Sequence, residues 1–207
     1  FWLSSEAAKT PLERLALVDS SPALLEQAEE NLSACDWIGT VEAVECDAVS
    51  LPFDDNSVGT ALAMHMLYHV TDQEAAVREL ARVVRPKGKI AVTTNSLDNS
   101  QALMGLAQAA FGGTGRDPGA ELFSPEMGND LLSRHFTHVE MHEFIDQLEI
   151  TDAADISAAL VSMPPGNEGT DAEKQKLEML LKDLAISEKN PLVDNRSVFL
   201  LIASNGD

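Results

Sequence analysis

"LERLALVDSSPALLEQAEENL", residues 12–32, is the stretch whose reading decides the fold. Leu15 to Val18 form a short apolar run that stops at Asp19. A run of that length, with no polar break, suits a strand covered on both faces. Ser21 then stands in N-cap position and Pro22 at the first helical position, where its missing N–H costs nothing. A helix is expected from there to about Leu32. The order is strand, acid, helix.

The same grammar recurs downstream. "VEAVECDA", residues 41–48, reads as a second strand from Val41 to Cys46, again closed by an aspartate, Asp47. "LPFDDNS" is rich in turn formers, and Val58 to Met64 is a third strand built of apolar or small residues. Thr71 and Glu74 have capping-box spacing at the head of "TDQEAAVRELARVVRPKG", where Ala75, Ala76, Leu80, Val83 and Val84 supply a helical stripe. Pro86 and Gly88 end that helix, and "KIAVTT" makes a fourth strand. Beyond Asn95 the pattern predicts helices over 98–112, 125–135, 153–162 and 171–187. It also predicts a strand over 139–145 and a final strand, "SVFLLIAS".

Strands alternating with helices predict an α/β fold. The expected architecture is a Rossmann-like three-layer sandwich, a mostly parallel central sheet with helices on both faces and an antiparallel last strand. No repeat or long linker divides the chain, so residues 1–207 are expected to form one domain. Residues 97–137 and 150–190 would be the variable segments that cover the site.

The chain has 207 residues, 34 acidic against 14 basic, and a formal net charge of -20. Such a surface repels phosphate backbones and anionic headgroups, which argues against nucleic acid or membranes as partners and leaves small molecules. Cys35 and Cys46 have no CxxC partner and fit a reducing compartment. With no apolar run near membrane-span length and no signal-peptide pattern, a cytoplasmic location is expected. Oligomeric state is left open.

In a parallel sheet the carboxyl ends of the strands share one edge, and ligands bind in the crevice outside them. Asp19, Asp47 and His65 each follow a strand and are candidates for that crevice. A carboxylate at a strand tip can accept two hydrogen bonds from a ribose diol, which suits Asp19. Asp47 with the Ala48 N–H offers an acceptor and a donor to an adenine edge. Aspartates are also common in ordinary strand-end turns, so that alternative stays open.

Taken together, "LALVDSSPALLEQAEENL", "VECDAVSLPFDDNSVGTALAMHMLYHV" and "VRELARVVRPKGKIAVTT" resemble the class I S-adenosylmethionine-dependent methyltransferases over roughly residues 14–95. The resemblance implies S-adenosyl-L-methionine as cofactor, with Asp19 and its neighbour Ser20 at the ribose and Asp47 and Ala48 at the adenine. Ala63, Met64 and His65 would lie beside the methionine part. It further implies methyl transfer to a small-molecule acceptor, with His65 and His69 as candidate catalytic groups, since an oxygen nucleophile needs a base and imidazole suits that task. Tyr68 and His69 also fit as packing residues that cap the helix below.

The family's first strand and its GxGxG turn are absent. Phe1 and Trp2 resemble the residues that follow that turn, so the chain is expected to begin inside the domain. The missing strand would lie between those ending at Asp19 and Met64, leaving both without their shared neighbour. "FGGTG", residues 111–115, follows a helix and precedes Pro118 and Gly119, with no helix expected there, so it lacks phosphate-loop geometry and reads as a mobile loop. His135, His138 and His142 lack metal-site spacing, and no metal is expected. Two other readings stand beside methyl transfer. One is an NAD-dependent oxidoreductase, whose catalytic set is not found; the other is a cofactor-binding domain without chemistry.

Overall fold

The computed structural model describes residues 11–205. Phe1 and Trp2 lie outside the described residues. Two ladders organise the chain. Strands β1 (Leu12–Asp19) and β2 (Ile38–Glu45) pair in parallel, joined by helix α1 (Pro22–Leu32). A second sheet has the order β3-β4-β6-β5, from β3 (Val58–Met64), β4 (Val84–Asn95), β5 (His138–Ile150) and β6 (Leu192–Ser204). β3 and β4 are parallel, and β6 runs antiparallel to both β4 and β5. This is the α/β arrangement expected, with its last strand reversed.

Two elements differ from the sequence reading in a connected way. β1 was expected to be buried, yet Leu15, Ala16 and Leu17 are half-buried and Val18 is exposed. In β3, Ala63 is 2% exposed, whereas Leu62 and Met64 are 44% and 46% exposed. Among the described residues no ladder joins β1 to β3, so each strand is paired along one edge only. In β3 the expected covering of both faces is realised only on the face that carries Ala63, and in β1 on neither face completely.

Helix α2 (Gln73–Val83) crosses from β3 to β4 and buries Ala75, Ala76, Val77 and Val83. Its cap is Asp72, whose carboxylate accepts from the Ala75 N–H at 2.9 Å, in place of the expected Thr71–Glu74 box. Glu74 turns instead to Arg134 at 2.9 Å and His135 at 2.7 Å. A full capping box does form at Thr170 and Glu173, opening α7 (Asp171–Leu184). β4 starts five residues before the expected Lys89, and its pairing with β3 shifts register between Val58 and Thr60. Gly88 lies in that irregularity, where a Cβ would meet the Gly59 carbonyl at 2.7 Å.

The main core lies where the sheet meets α2 and α5 (Pro125–Leu132), with Leu67, Val77, Ile90, Val92, Phe123 and Leu201 almost fully buried. A second cluster joins α3 (Gln101–Phe111), α6 (Ala153–Ser162) and α7 through Met104, Ile156, Leu160 and Leu177. The α3 N-terminus is capped from afar. Ser100 is left-handed at φ 53°, and the Asp194 carboxylate accepts from Ala102 N–H at 3.1 Å and Leu103 N–H at 2.9 Å. Where the sequence predicted only loop, Pro118–Leu122 forms a short helix, α4, capped by Asp117 through Ala120 N–H at 3.0 Å. No helix among the described residues is long and apolar enough to cross a membrane.

Candidate functional site

Register places the two sequence-flagged aspartates side by side. Asp19 pairs with Glu45, and the Cys46 N–H donates to the Asp19 carbonyl at 3.1 Å, so both strands end together. Each carboxylate folds back on its own turn. Asp19 Oδ1 accepts from the Ser21 N–H at 2.8 Å, and Asp47 Oδ1 accepts from the Val49 N–H at 3.1 Å. That bond fixes each side chain and leaves its other oxygen free of hydrogen bonds among the described residues. Ser20 is exposed, and the Ala48 N–H has no partner among these residues.

The end of β3 is shaped by an unusual backbone. His65 sits at φ 49°, a left-handed conformation uncommon outside glycine, which turns the chain sharply off the strand. Its N–H donates to Thr93 Oγ1 at 2.9 Å and to the Thr93 carbonyl at 3.2 Å, tying the turn to β4. The imidazole is half-buried. Burial pushes its pKa below the ordinary histidine value, helped by the Arg196 charge and opposed by Asp117. A neutral imidazole at pH 7 is the form that accepts a proton.

The aromatic groups cluster here. Tyr68 lies 6.4 Å from the His65 ring and 4.5 Å from the His69 ring, centroid to centroid. Burial and Asp117 both push the Tyr68 phenol pKa up, so it remains protonated. His69 is exposed on a single 3-10 turn, Leu67–His69. Met64 opens to solvent, while the Ala63 side chain is turned into the core and leaves only its backbone for a ligand.

Four residues that the sequence reading passed over complete this rim. Asn95 ends β4, and Asn99 follows it. Both donate side-chain amides to Asp117 Oδ2 at 2.9 Å. Arg196 lies on the stretch of β6 held by the Ser96 N–H to Ser197 carbonyl bond at 3.0 Å. Beside Asp117 is a cavity of about 220 Å³, lined by Met104, Ala107, Gly112, Arg116, Pro118 and Pro165 among others.

The remaining candidates lie elsewhere. His135 is bound to Glu74, His142 stands 3.4 Å from Glu140, and His138 opens β5. Among the described residues no three His, Cys, Asp or Glu side chains are grouped to hold a metal ion. Cys35 and Cys46 are both free thiols.

Residues 2–92 match the family model described as a methyltransferase domain. The ubiquinone/menaquinone biosynthesis C-methyltransferase UbiE of Enterobacter sp. (strain 638) is 35% identical over 79 residues, covering 38% of this chain and 32% of the relative. The chain thus spans about a third of the length of the curated relatives it matches. In fold, it is similar to BH2331 of Bacillus halodurans C-125, a proposed methyltransferase, with a TM-score of 0.64 and 16% identity over 94% of this chain and 84% of that one. Haemonchus contortus phosphoethanolamine N-methyltransferase 2, solved with phosphomonomethylethanolamine and S-adenosylhomocysteine, gives a TM-score of 0.51 at 13% identity, covering 99% of this chain and 51% of that one. Over residues 2–92 the chain is similar in sequence to a methyltransferase domain, and over nearly its whole length it shares the fold of solved structures such as BH2331.

Proposed function

We propose that the protein binds S-adenosyl-L-methionine and transfers its methyl group to a small-molecule acceptor. The observation that carries this reading is the pair of strand-end aspartates, each with one oxygen held by its own turn and the other open. In this reading Asp19 and Ser20 take the ribose hydroxyls, and Asp47 with the open Ala48 N–H takes the adenine edge. Met64, His65 and the Ala63 backbone border the methionine end. The fit is chemical: a diol needs acceptors and an adenine edge needs one of each, which is the donor set present.

When bound, the cofactor supplies a methyl group already activated by its sulfonium. The chain then has to hold the acceptor in line and exclude water, the main sources of rate for such a transfer. His65, kept neutral by burial and by Arg196, takes a proton from an acceptor that carries one. Tyr68 stays protonated and offers a hydrogen-bond donor, and His69 stands at the outer rim. The name of the UbiE relative favours a carbon acceptor within this reading. The cover over the site is assigned to residues 97–137 and 150–190.

The test is isothermal titration of the full-length protein with S-adenosylhomocysteine and with NAD. S-adenosylhomocysteine should bind and NAD should not. Asp19→Ala should keep the fold and weaken binding by about 1.5–3 kcal/mol, the range for a hydrogen bond to a charged group. Equal affinity in wild type and a folded Asp19→Ala, or preferential NAD binding, overturns the assignment.

A further inference from the structure

We propose that Asp117 is a positioning residue that clamps residues 112–122 against the carboxyl end of β4, and so sets the acceptor wall beside His65 and Tyr68. The proposal rests on the methyl-transfer reading for its word acceptor; the clamp itself stands on the contacts that follow.

The segment is built as a strap with one soft end and one fixed end. At the soft end Gly112, Gly113 and Gly115 have φ values of 84°, 92° and 73°, which only glycine adopts at low cost. At the fixed end Phe123 is fully buried, and its carbonyl accepts from Thr94 Oγ1 at 2.6 Å. Gln73 Nε2 adds a bond to the Leu122 carbonyl at 3.1 Å. Between the two ends, one carboxylate does the fastening.

Asp117 divides its oxygens between two tasks. Oδ1 caps α4 through the Ala120 N–H, and Oδ2 receives both Asn95 and Asn99 at 2.9 Å. Asn99 in turn accepts from the Ser197 N–H at 3.0 Å, which connects the clamp to β6. Gly119, two residues past the clamp, faces the Tyr68 ring; a Cβ there would lie 3.4 Å from two ring carbons. Releasing Asp117 therefore frees the surface on which Tyr68 rests, and it opens the neighbouring cavity beside Pro118. The charge also reaches His65, where Asp117 opposes the lowering by burial and Arg196. The groups bearing on that imidazole are Asp117 before α4, Arg196 on β6, and Tyr68 on the 3-10 turn with His69 beyond it.

Asp117→Asn separates the two tasks. The asparagine oxygen still caps Ala120, but its amide presents donors to the donors of Asn95 and Asn99. Hydrogen exchange in the full-length protein should then speed up at the amides of 112–122 by on the order of tenfold, the size of losing hydrogen bonds to a charged group. Asn95→Ala removes one strut from the other side and should accelerate the same amides, with a less-than-additive effect in the double variant. It keeps the test decisive if Asp117→Asn does not fold. The titration midpoint of His65, followed by NMR of its ring proton, should fall in Asp117→Asn, since the opposing carboxylate is gone. The field of the carboxylate alone predicts that fall, so the midpoint checks that Asp117 faces His65, and exchange checks the clamp. Exchange in 112–122 within twofold of wild type, or an unmoved His65 midpoint, overturns the proposal. S-adenosylhomocysteine titrated into the same samples should bind wild type and Asp117→Asn alike. A wild type that fails to bind it sinks the methyl-transfer reading while leaving the clamp to be judged by exchange.

Discussion

Replacing Glu79 by glutamine should lower stability by about 1–2 kcal/mol at pH 7, with the difference shrinking in acid. Glu79 lies on α2 and grips Arg82 through both oxygens, at 2.8 Å each, while accepting from the Leu51 N–H at 2.9 Å. Arg82 also donates to the Leu51 and Phe53 carbonyls at 2.9 and 2.8 Å, so the pair fastens the segment that follows Asp47. Hydrogen bonds from Arg82 are the main reason the Glu79 carboxyl is held down to about 2, against an ordinary value of 4.5. At 1.36 kcal/mol per pH unit, that displacement sets a ceiling of about 3 kcal/mol. Solvent reaches both side chains, 17% exposed for Glu79 and 31% for Arg82, and screening brings the expectation to about 1–2. Because the folded value is depressed, the stabilisation is complete above about 4.5 and disappears as pH falls toward 2. Urea unfolding of wild type and Glu79→Gln between pH 7 and 3 measures it, and thermal melts at pH 7 should differ in Tm by roughly 2–8 °C. Equal stability at pH 7, or a difference that does not shrink below pH 4.5, refutes the reasoning.

Other substitutions test other links in the chain. His65→Asn keeps a residue that tolerates left-handed backbone and removes the imidazole, so it should preserve the melting temperature; His65→Val should lower stability by about 1–2 kcal/mol because a branched Cβ resists φ 49°. Matching melts for the two variants show that the turn is not strained. Gly166→Ala should cost about 2–4 kcal/mol, since a Cβ there would sit 2.0 Å from the Leu160 carbonyl oxygen and 3.0 Å from the Phe111 ring. S-adenosylhomocysteine affinity per folded molecule should not change in it, and an unaltered melt means the 163–169 turn can shift at little cost.

The residues that were legible from sequence share one property: their placement depends on local pattern. Asp19 and Asp47 end apolar runs, and His65 follows one, so period and punctuation suffice to put them at strand tips. The same rule applied to the fourth strand reaches Asn95, a signal that was present and unused. Asp117 and Arg196 carried no such signal. Asp117 lies in a glycine-rich stretch without periodicity and earns its place through contacts 18 and 22 residues back along the chain. Arg196 precedes the apolar run "SVFLLIAS", and β6 extends to Leu192 only because β5 continues opposite it to Ile150. The capping box at Thr71 was misplaced by one residue because Asp72, a better acceptor, stood next to it. Burial of β1 and β3 was over-read for a different reason: apolar content reports what a strand can bury, and the covering has to come from elsewhere.

The segment that joins the β1–β2 ladder to the larger sheet sets the span of the candidate site. Among the described residues, backbone bonding stops at β1 on one side and at β3 on the other. The link between them runs through residues 48–53, which pack on the main core and are tied by Glu79 and Arg82. In the proposed reading a ligand would be met by Asp19 and Asp47 at one end of that link and by His65 at the other, so its affinity would depend on the link holding them in place. Saturation at a hundred times Kd would then add about 2.7 kcal/mol to folding.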